Sequence, residues 1–521
     1  MRNLSSPFRA LHPDHRWLLI LTVAAIALWT VGLGNLPLRD WDEGTYALIS
    51  REMLRAENWW YPTRFGEPYF MKPPLVYWLV ALGSGLFGQM HEFALRLPMA
   101  LSTALGVPLL YALTRELTPH RRDAVLTAGV YLTLLPIVRH GRLLMLDGII
   151  NSLLILLLLC LFKSRKFPVW ALGMGFCLAG ITLTKGVLVF ALWGIVGVYI
   201  LGDRQWPVLR NPFTWLGVLL GSGLVLTWYW TQWQQYGEVF LQVHLGLQNV
   251  ARLSTAVEGN AGPPWYYLLE IVKYSFPWLL FWPGGLWLAW QGRRTSRGVL
   301  ILTATILFLG LISAMGTKLP WYVMPLYPFM ALAVGWQLSE LSERVHGYAY
   351  HLRWLFGVVA IAALGGIVYF VTHEPHPTLI LMALVLAVTL AGVTWQLSRR
   401  EPRFMHTLLV GIYSCLLLLM LSPVWIWELN EHFPVENVAA MIEAHTPVGK
   451  TVFTAYPDNR PSLDFYSDRY VFPISNPQEL AQFRDEGHYL LLDEGALNAL
   501  QIPEGAIVAT TEGWSVVKPE P

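Results

Sequence analysis

Residues 143–162 read LLMLDGIINSLLILLLLCLF, a run whose one ionisable side chain is Asp147. At ~1.5 Å per residue, a helix of this length covers the ~30 Å hydrocarbon core of a bilayer. The run therefore reads as a membrane span. A carboxylate inside such a run is costly without a partner or a function, which marks Asp147 as a residue to explain.

The rest of the 521-residue chain has the same character: 55% of its residues are hydrophobic and 13% are charged, a balance unlike that of a soluble protein of this size. Hydropathy divides it into about fourteen apolar segments, at 17–34, 74–89, 93–114, 123–139, 143–162, 168–184, 186–201, 212–231, 267–290, 298–315, 319–338, 353–371, 377–397 and 405–427. Trp59, Trp60, Trp265, Tyr266, Tyr267, Trp425 and Trp427 stand at segment ends, as interfacial aromatic belts do. Cys160, Cys177 and Cys415 lie inside apolar segments without a CxxC pair, which fits inert core thiols. The net charge of +2 is scattered over short clusters, so no nucleic-acid partner is expected and membrane lipids are.

Those clusters report topology. Arg115/Arg121/Arg122, Lys163/Arg165/Lys166, Arg204/Arg210, Arg293/Arg294/Arg297, Arg344/Arg353 and Arg399/Arg400/Arg403 occupy every second loop, which the positive-inside rule places in the cytoplasm. Arg2, Arg9 and Arg16 precede the first apolar run, and no small-residue cleavage site follows, so this run is expected to be the first anchor. Parity then requires that 74–89, which opens on Pro73-Pro74, stay at the interface or re-enter, leaving about thirteen spans. The expected fold is mainly α: a polytopic helix bundle over 1–427 with a long first external loop, 35–92, and a small external α/β domain over 428–521. In that last domain, strand-like runs at 451–454, 489–492 and 506–509 alternate with helical ones at 435–443 and 477–484. In the first loop, Asp42 to Arg55 reads as an amphipathic helix with Tyr46, Ile49, Met53 and Leu54 on one face and Arg51, Glu52 and Arg55 elsewhere.

Ionisable residues near the outer segment ends form a short list: Asp40, Asp42, Glu43, Lys72, Arg139, Arg142, Asp147, Lys185 and Lys318. Carboxylates can orient or deprotonate an acceptor, and cations can stabilise charge building on a departing phosphate, so the mixture suits transfer from a lipid-phosphate carrier. Plainer readings stand beside each. Asp42 can cap a helix and Glu43 can complement its dipole; Lys185 and Lys318 can snorkel from helix ends; His244 can be a surface histidine.

The motifs Asp42-Glu43-Gly44-Thr45-Tyr46, Tyr69-Phe70-Met71-Lys72-Pro73-Pro74 and Phe93-Ala94-Leu95-Arg96-Leu97-Pro98 come in a set order. They are followed by Leu146-Asp147, Leu183-Thr184-Lys185-Gly186, His244 ahead of Gly262-Pro263-Pro264-Trp265, and Lys318-Leu319-Pro320 with Tyr322. In order and spacing this series resembles the GT-C glycosyltransferases, in the branch of the lipid A aminoarabinose transferases and related protein-mannosyltransferase-like enzymes. The resemblance implies an inverting transfer from an undecaprenyl-phosphate sugar to a lipid, glycan or protein acceptor, with aminoarabinose and lipid A as one such pair. It also implies a multi-pass protein of the bacterial inner membrane, whose active site lies in a periplasmic cavity between the first external loop and the bundle.

Carried over position by position, Asp42, Glu43 and Asp147 are the implied catalytic carboxylates, and Tyr46, Tyr69, Lys72, Arg142, Lys185, His244, Lys318 and Tyr322 the implied substrate-binding residues. Asp42 and Asp147 are also the implied ligands of a divalent metal, Zn or Mg. Two positions depart from the pattern: Met71 stands where the aminoarabinose transferases carry Glu, and Thr45 where they carry Arg. A thioether is a poor ligand for such ions, so the metal site is expected to be weakened. The rival class is a polytopic lipid or sugar transporter or flippase; such proteins usually carry internal repeats and midplane polar sites, and no repeat is found here.

Overall fold

The computed structural model describes residues 12–186, 188–250, 255–256, 259–343, 345, 347–426 and 434–520. Arg2, Arg9, Arg344 and Trp427 lie outside the described residues. By packing, the chain forms two compact units, each discontinuous in sequence: a bundle unit of 1–33, 70–75 and 97–425, and an α/β unit of 34–69, 76–96 and 426–521. The first loop, expected with the membrane domain, thus belongs for most of its length with the C-terminal segment.

In the bundle unit the run quoted above is the helix Asp147–Lys163, opening on the aspartate. Among the described residues seven helices are long and apolar enough to cross a membrane alone: Glu92–Leu117, Pro168–Lys185, Pro212–Tyr236, Ser296–Ala314, Tyr348–Thr372, Pro377–Ser398 and Phe404–Leu421. An eighth is the pair Arg121–Leu132 and Leu135–Arg142, bent by 56°. The bend falls at Thr133 and Leu134, where the backbone leaves the helical region, and Pro136 stands in the first turn of the second helix, where its missing N–H is tolerated. The remaining expected spans fall on shorter or interrupted helices, among them Asp147–Lys163, Leu188–Gly202 and Tyr327–Leu341. The segment at 74–89 is a helix of 13 residues, Leu75–Phe87, only ~20 Å long and too short to cross by itself.

In the α/β unit, β1 (Thr63–Arg64) and β2 (Glu67–Pro68) form a small hairpin. The C-terminal segment folds into a five-stranded sheet of β3 (Val452–Thr454), β4 (Val471–Pro473), β5 (Tyr489–Asp493), β6 (Ile507–Thr511) and β7 (Trp514–Val517), in the order β4-β3-β5-β7-β6. β3 runs parallel to β4 and β5, and β7 is antiparallel to β5 and β6. Side chains alternate across it as strand geometry demands. Leu491 and Val516 face a core with Val438, Ile442 and Leu463, whereas Leu490, Leu492 and Val517 face one with Leu480. The expected helices are present as Val435–His445 and Pro477–Asp485. β4 and β7 escape a sequence reading because they are three and four residues long, and one ends in proline.

Candidate active site

In the bundle unit, the end of helix Pro168–Lys185 brings three of the expected residues together. Lys185 Nζ donates to Asp147 Oδ1 at 2.6 Å, and the same ammonium stands 5.1 Å from the centre of the Tyr322 ring. The aspartate side chain is 4% exposed and the lysine 13%, so the pair lies at the edge of solvent with the lysine the more accessible partner. An ammonium has three donors, and among the described residues one of Lys185's is taken. This leaves two for a ligand.

Lys318 offers a direct contrast. Its Nζ donates to the carbonyls of Ile312, Ser313 and Met315 at 3.0, 2.7 and 2.6 Å, the orphan acceptors at the end of helix Ser296–Ala314. All three donors are spent on the cap, so the lysine expected at a substrate closes a helix instead. Arg142 is likewise withdrawn. It is fully buried, donates to Leu28 O and Val31 O at 2.6 and 2.5 Å, and lies 4.7 Å over the Trp425 ring. It ties the first helix, Pro13–Thr30, and the turn after it to Trp425, beyond the last helix.

His244 is an interior group, unlike the surface histidine that its loop position favoured. Its Nδ1 lies 2.6 Å from Phe70 O and its Nε2 2.9 Å from the Tyr229 hydroxyl, and its ring stacks on Phe240 at 5.2 Å. A carbonyl only accepts, so Nδ1 carries the proton and Nε2 accepts from Tyr229. Burial holds its pKa below the usual imidazole value; the Phe70 hydrogen bond works against that, and the charge of Lys72 adds to it. A neutral His244 therefore pins the 70–75 segment on which half-buried Lys72 sits. Tyr229 has no motif around it, only an aromatic-rich apolar helix, and nothing local marks it out.

In the α/β unit, the helix Asp42–Arg55 has its first half buried almost all round, from Glu43 to Ser50, so it is a core helix and not one lying on an interface. Asp42 remains half-exposed beside the Tyr46 hydroxyl, whose pKa is raised well above the usual phenol value by burial and then by the Asp42 charge. Tyr46 packs on Tyr77 at 5.6 Å, and Tyr77 on Tyr69 at 6.1 Å, making an aromatic wall. Tyr77 was missed by the sequence reading, since it looks like any apolar-helix tyrosine.

Glu43, expected as catalytic, is 1% exposed and receives Arg96 Nε at 2.9 Å, Arg96 Nη2 at 2.8 Å and the Arg39 amide at 2.9 Å. Arg96 also donates to Leu36 O and Pro37 O, at 2.7 and 2.8 Å. A carboxylate held by an arginine and a backbone amide, and almost wholly buried, braces a loop. Glu52, read as facing outward, accepts from Thr63 Oγ1 at 2.6 Å and from the amides of Phe65 and Gly66, fixing the β1–β2 turn.

The donor set does not fit a tightly held divalent ion. Among the described residues no three His, Cys, Asp or Glu side chains are gathered closely enough to share one, Asp147 is paired with an ammonium, and Met71 is exposed. No step is therefore routed through a metal.

Comparison with known proteins agrees with this architecture. The family model described as dolichyl-phosphate-mannose-protein mannosyltransferase matches residues 71–230. ArnT from Cupriavidus metallidurans, solved bound to undecaprenyl phosphate, superposes with a TM-score of 0.79 over 97% of this chain and 99% of that one, at 21% identity. The fold is thus the one solved for ArnT. Undecaprenyl phosphate-α-4-amino-4-deoxy-L-arabinose arabinosyl transferase 1 of Pseudomonas fluorescens is 31% identical over 384 residues, covering 69% of this chain and 67% of its own. The corresponding enzyme of Aeromonas salmonicida is 27% identical over 93% of this chain and 96% of its own.

The chain belongs to this arabinosyl transferase family. It is a multi-pass inner-membrane glycosyltransferase whose donor is a sugar linked to a polyprenyl phosphate, and the transporter reading falls.

Proposed function

We propose that the enzyme transfers 4-amino-4-deoxy-L-arabinose from undecaprenyl phosphate to lipid A on the periplasmic side, with inversion. The sugar rests on the named activity of the relatives. The observation that carries the chemistry is Lys185, whose ammonium is oriented by Asp147 and keeps two donors for a phosphate. As the acceptor oxygen bonds to the anomeric carbon, the bond from that carbon to the phosphate oxygen breaks, and its electron pair leaves with the polyprenyl phosphate. Lys185 and Lys72 offset the growing charge on the leaving group. Asp42 takes the proton when the attacking group is a hydroxyl. Tyr322 lines the substrate path beside Lys185, and His244 steadies the segment that carries Lys72.

Purified enzyme in proteoliposomes, given radiolabelled undecaprenyl-phosphate aminoarabinose and lipid A, is expected to label the lipid. Labelling only with a different undecaprenyl-phosphate sugar would overturn the choice of sugar, and labelling with neither would overturn the proposal. For sidedness, single cysteines at the exposed positions Ala56, His120 and Lys450, in a chain lacking Cys160, Cys177 and Cys415, are the probe. An impermeant maleimide should reach the first and third in intact spheroplasts. Reaction at His120 would reverse the topology.

A further inference from the structure

The turn that delivers Asp42 is built by residues outside the motif series. Trp41, immediately before the acidic helix, has φ 67° and ψ −98°, a conformation that a bulky side chain adopts only when its surroundings impose it. Asp40 supplies that imposition. Its carboxylate, 4% exposed, receives Arg460 Nη1 at 2.6 Å, the Ser462 amide at 3.3 Å and the Ser462 hydroxyl. Arg460 is itself buried, its guanidinium 4.0 Å over the Tyr456 ring.

One turn further on, Gly44 lies against the same partner segment. A Cβ there would collide with the Ser462 amide and stand 2.5 Å from the Pro461 carbonyl carbon, so only glycine permits the approach. The far end of the helix is tied to the helix Pro461–Ser467 and its C-cap as well. Arg51 donates to Phe465 O at 2.7 Å, and Arg51 and Arg55 pair with Asp468 at 3.0 and 2.9 Å.

We infer that Asp40, Arg460 and Ser462 are positioning residues for the reaction: the C-terminal segment holds the Trp41 turn in its strained form and thereby sets the direction of Asp42. The inference rests on the reading that Asp42 takes part in the chemistry. It gives the α/β unit a share in turnover beyond being an external appendage, and it explains why an aspartate two positions before the acidic motif is buried against an arginine 420 residues away.

The test is a double-mutant cycle on the full-length enzyme. Asp40→Asn is expected to lower kcat per folded molecule on the order of 10- to 100-fold, the scale of an ångström-level misplacement, with donor KM close to wild type; because it also removes the counter-charge of buried Arg460, the folded fraction is measured alongside. Arg460→Lys should recover part of what Arg460→Ala loses, and Ser462→Ala, which deletes one contact, should show a smaller loss in the same direction. In an Asp42→Asn background, Asp40→Asn should add less than about twofold, because its effect passes through Asp42. An undiminished Asp40→Asn effect in that background would overturn the positioning role alone. Wild-type turnover of Asp42→Asn would overturn both this inference and the reading beneath it, and a fall in activity that merely tracks the loss of folded enzyme in Asp40→Asn, Arg460→Ala and Ser462→Ala would reduce these residues to scaffolding.

Discussion

Lys185 and Lys318 each close an apolar helix of the bundle unit and look alike in the sequence, yet their hydrogen bonds separate them. Lys318 gives its three donors to three backbone carbonyls, whereas Lys185 gives one to Asp147 and stands beside an aromatic face. The carboxylates differ in the partner they hold. Glu43 is filled by Arg96 and a backbone amide, while Asp147 meets a lysine at the edge of solvent. Saturation marks a structural charge, and spare valence marks one that is able to act. Geometry draws this distinction where residue type does not.

The comparison breaks most visibly at the saturated pair. Glu43→Gln leaves the buried Arg96 guanidinium without its counter-charge, so the α/β unit should lose ~3–5 kcal/mol of stability, read by chemical denaturation in detergent. An unchanged midpoint would return Glu43 to the catalytic list. Next comes the lysine with donors to spare. Lys185→Ala should reduce kcat/KM by ~10²–10³ with the folded fraction intact, and arginine should restore part of it. If Lys185→Ala turns over normally, the lysine is a snorkelling cation after all.

A third carboxylate sharpens the rule through pH. Asp464 is fully buried and accepts from Val471 N at 2.9 Å and Asn459 Nδ2 at 3.0 Å; burial pushes its pKa up to about 7 against the pull of those hydrogen bonds. The folded state therefore binds the proton more tightly than the unfolded chain, whose carboxylate titrates near 3.9. The stability from this group is full below pH ~4 and is lost as pH rises through ~7, amounting to about 2 kcal/mol between pH 5 and 8. Asp464→Asn should flatten that slope in thermal melts, and an identical slope in the variant would assign it to other groups. The smallest effect is expected at Lys318. Lys318→Met uncovers helix-end carbonyls at a cost of ~1–2 kcal/mol and should leave turnover per folded molecule within about twofold. A loss of donor affinity in this variant would put Lys318 back among the substrate contacts.

How much of this was legible in the sequence follows from the range of each interaction. Apolar runs betray helices because burial in lipid acts on every residue of a span, and the short strands β3, β5 and β6 show as short apolar runs between more polar, turn-rich stretches. Asp147 and Lys185 were legible as candidates, since charge at membrane depth needs a reason, whereas Tyr322 was marked only by the resemblance. Glu43 misled because its partner Arg96 is 53 residues away, and nothing local distinguishes a filled carboxylate from a reactive one. The grouping of residues 34–69 with the C-terminal segment was invisible for the same reason. It depends on contacts such as Asp40 with Arg460 and Arg51 with Phe465, which no window on the sequence contains.

The two buried arginines after Pro136 also bear on how the protein is made. Arg142 finds its acceptors, Leu28 and Val31 carbonyls, on the first helix, which leaves the ribosome before it does. Arg139 donates at 3.1 Å to the carbonyl of Trp425, which is synthesised 286 residues later. At ~5–20 residues per second that interval is roughly 15–60 s, during which the insertion machinery must shelter a guanidinium whose final acceptor does not yet exist. Translation of the last helix then closes the bundle from both ends of the chain, so a nascent chain truncated before Trp425 should be the form that quality-control proteases recognise.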